Sequence, residues 1–330
     1  MTIFRRSIVK VALAGSLVPA AAYAQAVPHG LPNHPLRLVV PFSPGGPTDL
    51  VGRYYAQALG AKLGRTVVVD NRAGASGAIG TQEAARAPKD GLTLLLGTSS
   101  THATNPTAMR NPGYDALEDF THLAVLGLVP IVVAVNPSVP AQTLAELVAL
   151  IRAEPDRYPY ATAGTGSITH LAGEMLKLQA GHLEATHIPY RGSAPAMQDV
   201  ISGTVPWFVE TFSTTLPQHR DGRLRIISVL SANRASIAPE VGTAAESGFP
   251  ELIANTFNVV CVPAGTPDAA IATLLTATQQ VMAEATFAEA LRGLGVEPLA
   301  SSDPASARAY VKQEIERWRP IIIALDLQNR

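Results

Sequence analysis

Cysteine is all but absent from the 330-residue chain: Cys261 stands alone, so no internal disulfide can form. Charge is scarce as well. Charged residues make up 15%, and Lys+Arg 25 against Asp+Glu 26 leaves a net charge of -1. That balance supplies no drive toward phosphate backbones, so no nucleic acid is expected as a partner. Aromatics are 5% of the residues, with Trp207 and Trp318 the only tryptophans, which disfavours sugar-stacking platforms and quaternary-ammonium cages. No G-x-S-x-G elbow and no Gly-Lys-Ser/Thr phosphate loop occurs. What remains is a 47% hydrophobic chain with 26 Gly and 26 Pro, too apolar for disorder and too poor in charge for a coiled coil. Its length exceeds what one core usually supports, so two lobes are expected.

Arg5, Arg6 and Lys10 form a basic start, followed by an apolar run over residues 11–22 and the small-x-small sequence Ala22-Tyr23-Ala24. This is the pattern of a secretory signal peptide, with cleavage expected after Ala24. The run is shorter than a spanning helix and is interrupted by Pro19. Export to a periplasm follows as the expected localisation. Cys261 lies in the apolar run Val259-Val260-Cys261-Val262 and reads as a buried strand residue.

Strand-like runs alternate with helical patterns. Residues 36–40, 66–69 and 92–96 are strand candidates, separated by helices from about Thr48 to Lys62 and through Ala87. Residues 131–135, 158–161, 186–190, 205–209, 224–230 and 257–262 are further strands. Leu144, Leu147, Val148 and Ile151 mark an apolar helical stripe, and further helices are expected near His170 and from Ser193. Thr266-Pro267 opens a helix expected to run to about Leu291, and Asp303-Pro304 opens the last, which Pro320 should kink or stop. The alternation argues for an α/β fold with parallel sheets covered by helices.

Two loop-to-helix junctions stand out: Pro41-Phe42-Ser43-Pro44-Gly45-Gly46-Pro47-Thr48-Asp49 and Thr162-Ala163-Gly164-Thr165-Gly166-Ser167-Ile168-Thr169-His170. The first N–H groups of a helix lack intrahelical partners and its dipole leaves that end partly positive. Glycine lets a ligand approach the backbone there. Either loop could simply turn the chain; two of them, one in each half, point to an anion gripped between lobes. The nucleotide alternative is weak, because Gly164 and Gly166 have no third glycine in register. Ser167, His170 and Glu174 could be drawn as a hydrolase triad, but all three fall on one loop-helix segment, where His170 and Glu174 are ordinary i,i+4 neighbours. The same pair has no third ligand for a metal, so neither metal nor cofactor is expected.

Taken in order, the segments resemble the periplasmic solute-binding receptors of tripartite tricarboxylate transporters, the Bug-type receptors. The likeness covers the Val40–Asp49 loop, Asn71-Arg72-Ala73-Gly74-Ala75-Ser76-Gly77-Ala78-Ile79-Gly80, Tyr114-Asp115, Asp119-Phe120 and Ala163-Gly164-Thr165-Gly166-Ser167 with His170-Leu171-Ala172. It continues in Ile188-Pro189-Tyr190-Arg191-Gly192-Ser193-Ala194-Pro195-Ala196, Gly222-Arg223-Leu224-Arg225, Pro263-Ala264-Gly265-Thr266-Pro267 and Leu294-Gly295-Val296-Glu297-Pro298.

The resemblance implies a two-lobed, hinged periplasmic-binding-protein-like fold (type II, Venus-flytrap), with a mixed or parallel sheet in each lobe. Lobe 1 would comprise residues 25–127 plus 256–330 and lobe 2 residues 128–255. It implies a non-enzymatic receptor, expected as a monomer, that captures a small carboxylated solute for a membrane permease. Tri- and dicarboxylates, amino acids and aromatic acids all remain open as ligands. Alternatives are a secreted hydrolase using Ser167 and His170, or a sensing subunit of a signalling system. Carried over residue by residue, Phe42, Ser43, Gly45, Gly46 and Thr48 would line one side of the cleft, with Thr98, Thr101 and His102 from the same lobe. Thr165, Gly166, Ser167 and His170 would face them, with Tyr190 and Glu210 nearby. Glu210 stands where the family usually has Asp, so the distal end of the ligand site departs from the pattern.

Overall fold

The computed structural model describes residues 30–235, 237–324 and 326–329. The expected signal peptide and its cleavage site after Ala24 lie outside the described residues.

The strands are β1 (Leu36–Val40), β2 (Val67–Asn71), β3 (Thr93–Thr98), β4 (Phe120–Val135), β5 (Tyr160–Thr162), β6 (His187–Pro189), β7 (Trp207–Thr211), β8 (Arg225–Val229), β9 (Asn255–Pro263) and β10 (Glu297–Pro298). The helices are α1 (Pro47–Leu63), α2 (Ala78–Ala85), α3 (Asn105–Ala108), α4 (Leu144–Ala153), α5 (Ile168–Gln179), α6 (Ser193–Ser202), α7 (Phe212–Arg220), α8 (Asp268–Met282), α9 (Ala285–Gly293) and α10 (Pro304–Ala324).

β2, β1 and β3 run parallel, as short strand–helix–strand crossovers require. β9 then joins β3 antiparallel, and β4 joins β9. The long β4 changes partners along its length. Up to Pro130 it pairs with β9; from Ile131 to Val135 it pairs with β7 on one side, and from Val132 to Val135 with β8 on the other. β5 and β6 extend the second sheet in parallel beyond β7. The fold is the two-lobed, mixed α/β arrangement expected.

Side chains alternate between sheet faces, so each sheet needs cover on both sides. In the first, Leu38, Val40, Leu94 and Leu96 pack with Tyr55 and Leu59 of α1 and Leu274 of α8. On the other face, Val39, Leu95 and Cys261 belong to the cluster holding Ala78 and Ala84 of α2 and Trp318 of α10. In the second sheet, Val132, Ala134 and Phe208 meet Val200 of α6 and Leu216 of α7, while Val133, Val135 and Trp207 meet Leu147 of α4 and Leu171 of α5.

Three local expectations change. Residues 131–135 are the far end of a much longer strand, whose first part carries register shifts beside His122 and Gly127. The helix expected to reach Leu291 is broken at Ala283 and Glu284, where Glu284 takes an extended conformation (φ -75°, ψ 124°). Pro320 neither stops nor ends α10, which continues to Ala324. Proline there costs one backbone hydrogen bond, and the carbonyl it abandons, on exposed Glu316, is accessible to water.

Candidate functional site

The loop after β1 is organised by Asp49, a buried carboxylate in the first turn of α1. Its Oδ2 accepts from Gly45 N–H at 2.8 Å and from Arg53 Nε at 2.9 Å. Its Oδ1 accepts from Asn71 Nδ2 at 3.0 Å, and the same amide group donates to the Phe42 carbonyl. Burial alone would raise the Asp49 pKa; the hydrogen bonds from Arg53, Gly45 and Asn71 outweigh it and hold the carboxyl below its ordinary range. The Gly45 amide is therefore already committed to an anion of the protein itself. Gly46, the N-cap of α1, donates to the Ser43 carbonyl at 3.3 Å.

β3 ends at Thr98, and residues Ser100–Thr104 form a π-helical turn running into α3. Thr98 N–H donates to Thr101 Oγ1 at 2.9 Å, and Thr101 Oγ1 lies 2.9 Å from His102 Nδ1. Both side chains are fully buried behind the turn.

On the opposite lobe, Ser167 caps α5: its Oγ accepts from His170 N–H at 3.3 Å and lies 2.6 Å from the Gly164 carbonyl, to which it donates. Gly166 N–H donates to His170 Nδ1 at 3.1 Å, and the His170 ring stacks on His187 with centroids 4.0 Å apart. His170 Nδ1 is thus engaged by a backbone amide and the Ser167 proton points to a carbonyl. That arrangement positions neither group as the base–nucleophile pair of a hydrolase.

The lobes touch at several points. Ser43 Oγ donates to the Arg191 carbonyl at 3.0 Å, Thr104 Oγ1 to the Gly166 carbonyl at 2.7 Å, and Ile168 N–H to Ser100 Oγ at 3.1 Å. Ser76 Oγ donates to the Thr165 carbonyl. Between them lies a cavity of about 30 Å³.

Of the residues expected at the site, Phe42, Thr48, Thr98 and Glu210 line this cavity. Ser43 closes the lobe contact at Arg191. Thr165, Gly166 and Tyr190 line a separate outer pocket with Ser76 and Arg191, and Tyr190 donates its hydroxyl to Asp199. Ser167 and His170 organise their own loop, Gly45 and Gly46 theirs, and Thr101 and His102 sit one layer behind Thr98. Ser100, Ile168, Thr169, Ser193, Thr211 and Thr256 also line the cavity, although sequence reasoning did not single them out as ligand contacts.

Glu210 is the one titratable residue among the cavity's lining residues, which include no Lys, Arg or His. It is fully buried; its Oε1 accepts from Thr211 N–H at 2.7 Å and its Oε2 has no partner. Burial pushes its pKa up to about 7, only partly opposed by the hydrogen bond from Thr211 N–H. Across the cavity, Thr98 Oγ1 is likewise buried without a partner. The first-turn amides of α1 and α5 complete the setting, since Thr48 and Thr169 stand at helix positions with no intrahelical acceptor.

Comparison with known proteins gives this geometry a context. The family described as "Tripartite tricarboxylate transporter family receptor" matches residues 51–327. The chain is similar to protein BugT of Bordetella pertussis, 35% identical over 313 residues that make up 94% of this chain and 94% of that protein. Among solved structures it is similar to the periplasmic binding protein BugD, with a TM-score of 0.86 and 33% identity, covering 90% of this chain and 99% of that one. A third similar protein is R. palustris Rpa4515, solved with adipate, at a TM-score of 0.86 and 34% identity over 89% of this chain and 98% of that one. The chain belongs to the tripartite tricarboxylate transporter receptor family, a family of solute-binding receptors and not of enzymes.

Proposed function

We propose that the interlobe cavity captures a small solute by its carboxylate and that the lobes close over it. One observation carries this reading: Thr98 Oγ1 and Glu210 Oε2 are buried, unpaired and on opposite walls of a cavity flanked by two helix N-termini. An unpaired buried polar group costs about 1–3 kcal/mol, so a ligand that satisfies both stabilises the closed form. The helix amides favour an anion without any arginine. Glu210, neutral over much of the range below about 7, then donates its O–H to a ligand oxygen and does not repel it.

On this reading Phe42, Thr48, Thr98 and Glu210 contact the solute, directly or through water. Ser43 latches the lobes. Thr101 and His102 brace Thr98, while Gly45, Gly46, Thr165, Gly166, Ser167, His170 and Tyr190 shape the two rims. The adipate bound by Rpa4515 supports a dicarboxylate as the ligand class. The hinge would lie where β4 and β9 pass between sheets, dividing residues 25–127 plus 256–330 from 128–255. The receptor would be exported by its first 24 residues, act as a monomer and hand its closed form to a membrane permease.

Titration calorimetry with mono-, di- and tricarboxylates against their amide analogues tests the central claim. Carboxylates should bind at least tenfold more tightly than the amides, with proton uptake above neutral pH as Glu210 is neutralised. Equal binding of the amides would sink it.

A further inference from the structure

A second group of polar side chains lies in the first lobe, behind the cavity wall; of its members only His102 bears on solute capture, through Thr101 and Thr98. His102, His122 and Cys261 are each at most 2% exposed, and one ligand atom from each can be chosen so that all three lie within 4.8 Å of one another. The fold brings them together from three segments. His102 follows β3 on the π-helical turn, and His122 and Cys261 are cross-strand partners in the β4–β9 ladder.

His102 is already oriented. Its Nδ1 lies 2.9 Å from Thr101 Oγ1, and that oxygen accepts from Thr98 N–H and lies 3.2 Å from the Thr98 carbonyl. With the hydroxyl proton given to the carbonyl, Thr101 Oγ1 accepts from His102 Nδ1–H. The His102 lone pair is then on Nε2, which lies 3.6 Å from Cys261 Sγ. An outer-shell partner that fixes the tautomer of a ligating histidine is what metal sites require. The 3.6 Å separation of His102 Nε2 and Cys261 Sγ is within a few tenths of an ångström of the sulfur–nitrogen edge, about 3.8 Å, expected around a three-coordinate ion with ordinary metal–sulfur and metal–nitrogen bonds.

A plain hydrogen bond from the Cys261 thiol to His102 would account for that contact alone. It leaves His122 unexplained. Both His122 ring nitrogens are buried without a partner, and the Ala116 carbonyl lies nearby but outside hydrogen-bond geometry. Burying an imidazole in that state is costly, because each ring nitrogen has given up water without gaining a partner. Its ring packs edge-on to His102, with centroids 5.7 Å apart, and is anchored at neither nitrogen, so it is the ligand free to turn inward.

We propose that His102 Nε2, Cys261 Sγ and one ring nitrogen of His122 form a buried three-coordinate site for a soft monovalent metal ion, Cu⁺. The ligand set, one thiolate and two imidazoles, suits copper(I) and zinc. Charge decides between them. Cu⁺ with a thiolate and two neutral imidazoles has no net charge, whereas Zn²⁺ would leave an uncompensated positive charge in an apolar core, with the Arg308 cation also bearing on His122. Each imidazole ligates as its neutral form, and the ion displaces the thiol proton: Cys–SH and Cu⁺ give Cys–S–Cu and H⁺, with no change of oxidation state.

The test is anaerobic titration of the purified mature chain with Cu⁺ buffered by bathocuproine disulfonate, alongside Cys261→Val and His122→Phe. Circular dichroism and solute calorimetry verify that each variant folds. The wild type should take up one Cu⁺ with a sulfur in its first coordination shell by X-ray absorption, and each variant should bind at least tenfold more weakly. Cu⁺ uptake unchanged in Cys261→Val would overturn the site, placing copper on surface histidines instead. No uptake by the wild type would reduce the cluster to a thiol–imidazole hydrogen bond, and Zn²⁺ binding as tight as Cu⁺ would overturn the monovalent assignment.

Discussion

The Thr104 hydroxyl, on the β3 side of the cleft, donates across it to the carbonyl of Gly166 at 2.7 Å. Both residues are buried, so the bond is made only when the lobes meet and is shielded from water once made. Thr104→Val keeps the shape and removes the donor, stranding the carbonyl in the closed form alone. Leaving one buried acceptor unpaired costs about 1–3 kcal/mol. If the solute binds only the closed form, its affinity should fall about 5- to 150-fold, at about 1.4 kcal/mol for each tenfold. Calorimetry reads the loss, and small-angle scattering should show a more expanded ligand-free protein. An affinity within twofold of wild type would mean that this contact does not govern closure.

Glu210 predicts a pH signature. Its folded pKa, about 7, is raised above the ordinary 4.5 by burial. The folded state therefore holds the proton longer than the unfolded state. The stability this lends is fully present below the unfolded value and is lost as pH rises through about 7. The span amounts to about 3 kcal/mol at 1.36 kcal/mol per pKa unit. Glu210→Gln preserves the oxygen that accepts from Thr211 N–H but cannot ionise. Thermal unfolding followed from about pH 5 to about pH 8.5 should show the variant gaining on the wild type as pH rises. Parallel curves would assign Glu210 an ordinary, solvated carboxylate.

Much of this architecture is legible locally. Pro47 at the first position of α1 and the β-branched run of β2 announce their elements through backbone preference alone. The first half of β4 does not, because Thr121, His122 and Gly127 interrupt its apolar run and its alternation carries register shifts. α7 escapes for the opposite reason: Ser213, Thr214 and Thr215 give a helix almost no apolar stripe. The glycine loops were visible as loops, but not the fate of their amides. Gly45 and Gly166 each donate to a side chain four residues on, Asp49 and His170. That spacing is the signal that could have shown it. Ser193, Thr211 and Thr256 reach the cavity from segments far apart in sequence, and no local pattern marks a lone hydroxyl as cavity-facing.

Asp49 holds the first loop from within, so Asp49→Asn should loosen it. The carboxylate accepts from three donors, and an amide nitrogen in its place would confront Gly45 N–H or Arg53 with a second donor. The expected cost is about 1–3 kcal/mol in urea unfolding, with faster hydrogen exchange at the Gly45 amide. The sign with pH follows from a depressed pKa: the contribution of Asp49 is present above its unfolded value and lost as pH falls through the folded one. The asparagine variant should therefore lose less stability than wild type on acidification. Unchanged protection at Gly45 would show that the loop is held by something other than this carboxylate.

Glycine substitutions separate obstruction of a ligand from strain in the latch. Gly192 has φ +135° and ψ 176°, a conformation that alanine adopts only under strain, and a Cβ there would lie 3.0 Å from Ser43 Oγ. Gly192→Ala therefore acts on the very contact where Ser43 meets Arg191 across the cleft. Gly46 has an ordinary extended backbone, φ -79° and ψ 171°, and its Cβ would meet the Ser43 carbonyl at 3.3 Å. Gly166 has φ +76° and only Ala108 Cβ nearby, at 3.5 Å, with its amide already given to His170. Alanine at Gly192 should cost about 1–3 kcal/mol, most of it in the closed form and so visible as weaker solute binding. Alanine at Gly166 should cost about 1 kcal/mol of stability through its backbone alone and leave affinity nearly unchanged. Gly46→Ala should fall between them in affinity with little loss of stability. Should Gly166→Ala weaken binding more than Gly192→Ala, the solute reaches the Gly166 amide itself, and the His170 contact must open when the ligand binds.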